Sequence, residues 1–330
     1  MVKEMTSRER VYASLAGEDV DRFPVSAWWH DFPREWSAKS LAEATIEAYE
    51  TYNWDWVKLN PRATYYGEAW GAKYEPNDDR QPDLASPAFT SADEMSKLKA
   101  VDMRKKELAD QIESVKLTAK KLKGEVPLVQ TVFSPLACLS RAAGSTKFIQ
   151  RMIREEPDSV LKALEPVTET MAKFSTASLK AGAEGIFFAT VEWGSADVMS
   201  WDEYERFARP FDLRVLEVIK DAPFNVLHVC RSNNHLMRML DYPVAAFNWA
   251  TQDTTNPSPA EVLLNTDRAV IGGASHDTVL PEGAPADVVK EAHRSILEAG
   301  LSRFLLSPGC AISPTTSEKN LRALVQAASP

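Results

Sequence analysis

Cysteine is scarce in this chain: Cys138, Cys230 and Cys310 are the three present. An odd, sparse set argues against a disulfide framework and leaves packing, catalysis or metal binding as uses for the thiols. No apolar run approaches the roughly 20 residues of a membrane helix. The opening MVKEMTSRERVYASLAGEDVDRFP holds no apolar stretch between a basic start and a small-residue cleavage site, so a cytoplasmic protein is expected. Basic clusters are missing as well. The chain has 38 Lys and Arg against 47 Asp and Glu, a net charge of −9, which excludes an obvious surface for nucleic acid or an anionic membrane. No repeat, low-complexity tract or linker divides the 330 residues. With 44% hydrophobic and 26% charged side chains, residues 1–330 are expected to form a single domain around one large core.

What the sequence does have is alternation. Short β-branched or apolar runs predict strands at Phe23–Trp28, Asp55–Asn60, Val126–Val132, Gly185–Thr190, Phe224–Val229, Ala245–Trp249, Ala269–Gly272 and Phe304–Ser307. Amphipathic segments between them predict helices, among them Ser40–Thr51, Lys105–Lys123, Pro157–Ala181, Trp201–Lys220, Pro259–Leu264, Ala286–Ala299 and Thr315–Ala328. Eight strands that alternate with helices imply an α/β fold, a single (β/α)8 TIM barrel. A doubly wound sheet would want a Gly-rich phosphate turn after its first strand, and PVSAWWHDFPREW has none. Polar residues follow the strands, where a barrel places its active-site rim. They include His30, Asn60, Arg62, Tyr65, Tyr66, Thr131, Ser134, Glu192, His228, Cys230, Asp253, His276 and Cys310. The long connection from Pro61 to about Thr90 either covers this rim as a lid or simply caps the barrel edge.

His228-Val229-Cys230 closes the fifth predicted strand. Residues i and i+2 project to one side, so the imidazole and the thiol point together into the barrel mouth. Cys310 follows the eighth strand, where Pro308 and Gly309 turn the chain over that mouth. Two sulfurs and one imidazole suit zinc, and three protein ligands leave a position for substrate. A buried histidine and two packed thiols would give the same spacing. Cys138, among the small apolar residues of PLACLSRAAG, reads as a packed hydrophobe.

These residues carry a resemblance. Over nearly its whole length the chain resembles the uroporphyrinogen decarboxylase superfamily, through RERVYASLAGEDVDRFPV, DWVKLNP, TVFSPL, GAEGIFF and SPGCAISPTTSEKNL. Within it, His228-x-Cys230 with a late Cys310 is similar to the zinc motif of the methylcobamide:coenzyme M methyltransferases and their relatives. The resemblance implies a Zn2+ cofactor on His228, Cys230 and Cys310, a methyl-corrinoid donor on a separate corrinoid protein, and a small thiol acceptor. It also permits a homodimer. True uroporphyrinogen decarboxylases carry an arginine-bearing loop after strand 1, where this chain has Trp28-Trp29-His30-Asp31-Phe32-Pro33. Their catalytic aspartate follows strand 2, where this chain has Asn60-Pro61-Arg62. Their Gly-His-Gly turn after strand 8 resembles Pro308-Gly309-Cys310, with cysteine in place of histidine.

The leading expectation is therefore a zinc-dependent methyltransferase. The alternatives are a decarboxylase-like lyase on the same barrel and a non-catalytic corrinoid- or tetrapyrrole-binding barrel. Glu192 is the candidate fourth, displaceable ligand, and a rim carboxylate paired to Arg62 or another cation is the plainer reading. His30 is a candidate to face the substrate, and His276 to orient substrate or support the ligands. Trp249, Tyr65, Tyr66 and Arg62 are candidates for the walls of a cofactor-binding cleft, with core packing as the plainer use of the aromatics.

Overall fold

A computed structural model describes residues 4–300 and 302–329. Among them, seven parallel strands form one curled sheet in the order β1 (Val57–Leu59), β4 (Leu128–Phe133), β5 (Gly185–Ala189), β6 (Val226–Val229), β7 (Ala246–Trp249), β8 (Ala269–Ala274) and β9 (Phe304–Pro308). The two remaining strands, β2 (Lys73–Glu75) and β3 (Asp83–Ser86), make a separate antiparallel hairpin inside the long 61–90 connection. Parallel neighbours require crossovers, and helices supply them, for example Lys106–Leu122 between β1 and β4 and Pro157–Lys180 between β4 and β5.

The sheet strands are buried on both faces, and successive side chains alternate between the two. Val129, Phe187, Val226, Ile271 and Leu305 form an inner cluster with Trp28 and Trp56. Their neighbours Ile186, Phe188, Leu227, Val270, Phe304 and Leu306 join the larger core beneath the helices. The inner face thus carries Trp56 and Lys58 on one strand and Val226, His228 and Cys230 on another, two residues apart each time. This register points the polar side chains of the strand ends into one mouth.

The first expected strand, Phe23–Trp28, is not a ladder strand. Val25 makes a single parallel bridge to Leu306, with Leu306 N–H donating to Pro24 O at 2.8 Å and Ser26 N–H to Leu306 O at 3.2 Å. On the other side Asp55 N–H donates to Val25 O at 2.8 Å. The cause is local. Pro24 has no N–H to give. Val25 N–H is taken by the Asp55 carboxylate at 2.9 Å, and the Ser26 hydroxyl bonds Trp56 O at 2.7 Å, so side chains replace ladder bonds. The Asp55 carboxylate is fully buried and also accepts from Arg10 and Arg22.

Two further differences have simple causes. The predicted helix Trp201–Lys220 is two helices, Trp201–Phe207 and Arg209–Glu217, broken at Ala208 where Pro210 enters the first turn of the second. The predicted Thr315–Ala328 helix begins at Glu318, because Ser317 is its cap and accepts from Asn320 N. No helix among the described residues is long and apolar enough to cross a membrane.

Candidate metal centre

His228 is the last residue but one of β6 (Val226–Val229), and Cys230 follows the strand directly, two residues on. The chain bends sharply just afterwards, with Arg231 and Asn233 both at positive φ (74° and 49°). Asn256 ties this bend to the end of β7 by donating to Arg231 O at 3.1 Å and to Ala250 O at 3.2 Å. Cys310 arrives over the mouth on Gly309, which no larger residue can replace without movement. A Cβ there would lie 2.6 Å from Ala250 Cα and 2.9 Å from Trp249 O.

These turns bring three side chains together. The ligand atoms of His228, Cys230 and Cys310 all lie within 4.8 Å of one another. The two sulfurs are 3.8 Å apart, and Cys310 Sγ is 3.6 Å from His228 Nε2. His228 is buried, and both thiols are half-buried and line the same cavity. Hydrogen bonding and charge act oppositely on the two thiols. The hydrogen bond from the Cys230 S–H holds the Cys310 thiol well below its usual value, against the opposing effect of burial. The same contact pushes Cys230 up.

The tautomer of His228 is set by a residue that sequence reasoning missed. Asn248, fully buried on β7, donates its amide N–H groups to Ile271 O at 2.8 Å and Pro308 O at 3.2 Å. Its carbonyl oxygen must then be the atom 2.6 Å from His228 Nδ1, so Nδ1 carries the proton and Nε2 presents its lone pair beside Cys310. The donor set therefore fits a zinc ion: one imidazole nitrogen in the ligating tautomer and two close sulfurs at the edge of a cavity. Asn248→Leu removes this outer bond and is expected to weaken zinc retention about 10–100-fold with little loss of secondary structure. Competition with a chromophoric chelator measures it.

The cavity has a volume of about 520 Å³ and is walled by Trp28, Phe133, Phe187 and the overhanging hairpin residues Tyr74, Pro82 and Leu84. Two further cations face it. Lys58 on β1 is buried. Its ammonium donates to Asn60 Oδ1 and lies 4.7 Å over the Phe187 ring and 5.3 Å over Trp28. Burial pushes it down to about 7, against the raising effect of Cys310 and Glu35. Arg141 is paired with Glu192. A lysine in the middle of the β1 strand and an asparagine in the apolar β7 are residues that strands disfavour, and that was the available signal.

The other expected site residues are placed as follows. Glu192 is not brought to the three-ligand group. It sits on the turn Val191–Gly194 and accepts from Arg141 at 3.3 and 3.2 Å and from Thr146 Oγ1 at 2.6 Å. Burial pushes its carboxyl up, but Arg141 and Thr146 outweigh this and hold it below the ordinary value. Its cation partner is Arg141 and not Arg62. Arg62 is buried, bonded to Glu68 at 2.6 Å and stacked 4.6 Å over Trp36, away from the cavity wall. Tyr65, Tyr66 and Trp249 are core rather than cleft wall. All three are fully buried; Tyr66 stacks on Tyr65 and Phe133, and Trp249 Nε1 donates to Pro257 O at 2.9 Å. His276 is half-buried near Cys310, outside the cavity lining. His30 does line the cavity. Cys138 is fully buried against Met171.

The family model described as uroporphyrinogen decarboxylase (URO-D) matches residues 33–329. The chain is 23% identical to the methylcobamide:CoM methyltransferase MtbA of Methanosarcina acetivorans, over 98% of each protein. It is 26% identical to the uroporphyrinogen decarboxylase of Syntrophotalea carbinolica, but over 65% of this chain and 62% of that protein. The solved structure of a methyltransferase from Methanosarcina mazei superposes with a TM-score of 0.83 at 23% identity, covering 98% of both chains, which establishes a shared fold. The chain belongs to the uroporphyrinogen decarboxylase family and, within it, resembles the methylcobamide:CoM methyltransferases rather than the decarboxylases proper.

Proposed function

We propose that this chain transfers a methyl group from a corrinoid carried by a partner protein to a small acceptor, a thiol, at a zinc ion held by His228, Cys230 and Cys310. The observation that carries this reading is the convergence of three ligand atoms within 4.8 Å at the wall of a cavity, with the histidine already in the ligating tautomer. Zinc would act there as a Lewis acid that favours the ionised form of an incoming thiol. The protein's own part is to hold the ligands, exclude water with Trp28, Phe133 and Phe187, and leave the cavity open at its rim.

We further read Phe23–Trp28 as the stave that completes the sheet into a barrel, supported by its bonds to Leu306 on one side and Asp55 and Trp56 on the other. All 330 residues then form one domain. Glu192 is assigned to holding Arg141 at the cavity wall, so Glu192→Gln is expected to leave zinc retention unchanged. Decarboxylation of a polyanionic tetrapyrrole is disfavoured because the cavity offers Lys58 and an already paired Arg141 as its strong cations. The test is direct. Zinc-loaded protein should demethylate methylcobalamin in the presence of coenzyme M or another small thiol, followed by the absorbance change of the corrinoid. It should form no coproporphyrinogen from uroporphyrinogen. The reverse pattern would replace this function with the lyase.

A further inference from the structure

We propose that His30, held by the buried carboxylate of Glu35, is the base that takes the proton from the acceptor thiol as it enters the cavity. The role rests on the methyl-transfer reading and adds to it a residue pair outside the metal ligands. His30 and Cys310 lie on loops that run side by side. Ile312 N–H donates to Trp28 O at 3.0 Å, and Trp29 and Ile312 form a parallel bridge. Both His30 and Cys310 line the same cavity.

The imidazole is fixed in two ways. Its Nδ1 is 2.8 Å from Glu35 Oε1, and its ring lies flat against Phe32, with centroids 5.3 Å apart and planes within 6°. Glu35 is 1% exposed, and its second oxygen has no partner among the described residues. A buried carboxylate with an orphaned oxygen is unfavourable for stability alone and calls for a reason to be kept. Arg62 does not supply that reason, since its guanidinium bonds the Glu35 backbone carbonyl at 2.9 Å and pairs with Glu68. The carboxylate instead accepts the Nδ1 proton, sets the tautomer and leaves Nε2 as an acceptor for the cavity, the arrangement in which a histidine serves as general base. The other charged groups near the pair are Lys58 from β1, Asp31 and Arg34 on the same loop, and Cys310 from the neighbouring one.

The step balances without an oxidant. The S–H bond of the acceptor breaks, its proton passes to His30 Nε2, and the electron pair stays on sulfur. That pair forms the S–CH3 bond as the cobalt–carbon bond of the partner's methyl-corrinoid breaks, its electrons leaving with cobalt. The imidazolium then returns its proton to solvent. Glu35 acts through His30 and is a positioning residue.

Two readouts test the pair. In the first, zinc-loaded protein is titrated with coenzyme M at pH 7 by calorimetry in two buffers of different ionisation enthalpy, which counts protons released per thiol bound. The wild type should release about one, because the imidazolium passes its proton on to solvent, His30→Gln well under one, and Glu35→Gln a value between, with zinc content equal in all three. Methyl transfer by His30→Gln should fall about 100-fold at pH 7. That gap should close by pH 9, where a thiol of ordinary pKa near ~8.5 ionises unaided. Equal proton counts, a rate loss independent of pH, or loss of zinc from His30→Gln would overturn the proposal. The second readout needs no thiol. Diethyl pyrocarbonate should acylate His30 in the wild type several-fold faster than in Glu35→Gln, by peptide mapping, and equal or absent labelling would overturn it. A wild type that binds no thiol, yet shows this labelling difference, would sink the methyl-transfer reading and leave the pair standing.

Discussion

Cys310→Ser and Cys230→Ser are each expected to lose most of the bound zinc and, with it, methyl transfer. Thiolates supply much of the affinity at such sites, so the loss should exceed the roughly 10–100-fold seen when an outer-shell partner is removed. The fold should survive. Both thiols are half-buried at the rim, beyond the last residues of β6 and β9, and neither contributes a ladder bond. Cys138→Ser is the control, because Cys138 is fully buried against Met171 away from the cavity. Metal content after dialysis, with far-ultraviolet circular dichroism as the check on folding, separates the three variants. Full zinc in both rim variants would remove the metal centre from the account.

The second large effect lies at the other end of the sheet. Asp55→Asn should destabilise the protein by about 3–5 kcal/mol, because removing one partner from a buried ion pair leaves the other charge uncompensated. Asp55 is 0% exposed and receives Arg10 at 2.5 Å, Arg22 at 2.6 and 2.9 Å, and Val25 N–H at 2.9 Å. Asparagine keeps an acceptor but not the charge. Arg10 retains Asp21, whose carboxyl it holds well below the usual range by hydrogen bonding, helped by Met5 N–H. The stability from Asp21 is therefore complete above the unfolded carboxylate range near pH ~4 and is lost as the pH falls toward the folded value. Urea unfolding at pH 7 measures the first effect, and its repetition down to pH 3 the second. A change under about 1 kcal/mol for Asp55→Asn would mean that the cluster is as weakly coupled as a surface pair.

Much of this was legible in the sequence, and the divisions follow physical lines. Seven of the eight predicted strands form because their apolar runs are buried on both faces, a local property that composition reveals. Phe23–Trp28 reads the same way, yet Pro24 and the Asp55 carboxylate replace its ladder bonds, and the Asp55 contact lies 30 residues away in the chain. The metal ligands were visible because i and i+2 on a strand share a face, and because soft ligands are rare here. Asn248, Lys58 and Glu35 were not singled out. Their roles depend on which residues a neighbouring strand or loop sets opposite them. Tyr65, Tyr66, Trp249 and Arg62 follow strands as rim residues do, but the chain turns them inward or away, and sequence position alone cannot separate the two. Glu192 was a candidate ligand or a rim carboxylate paired to Arg62 or another cation, and its partner, Arg141, comes from the helix Pro135–Ala143, which the sequence pattern did not announce.

The zinc centre is expected to receive the acceptor thiol as a further ligand. Zinc-edge X-ray absorption of the metal-loaded protein, recorded before and after addition of coenzyme M, tests it most directly. Two sulfurs and one imidazole nitrogen from the protein are expected at first, at about 2.3 and 2.0–2.1 Å, and a third sulfur once the thiol is added. A protein that retains no zinc, or a coordination shell unchanged by the thiol, would contradict it.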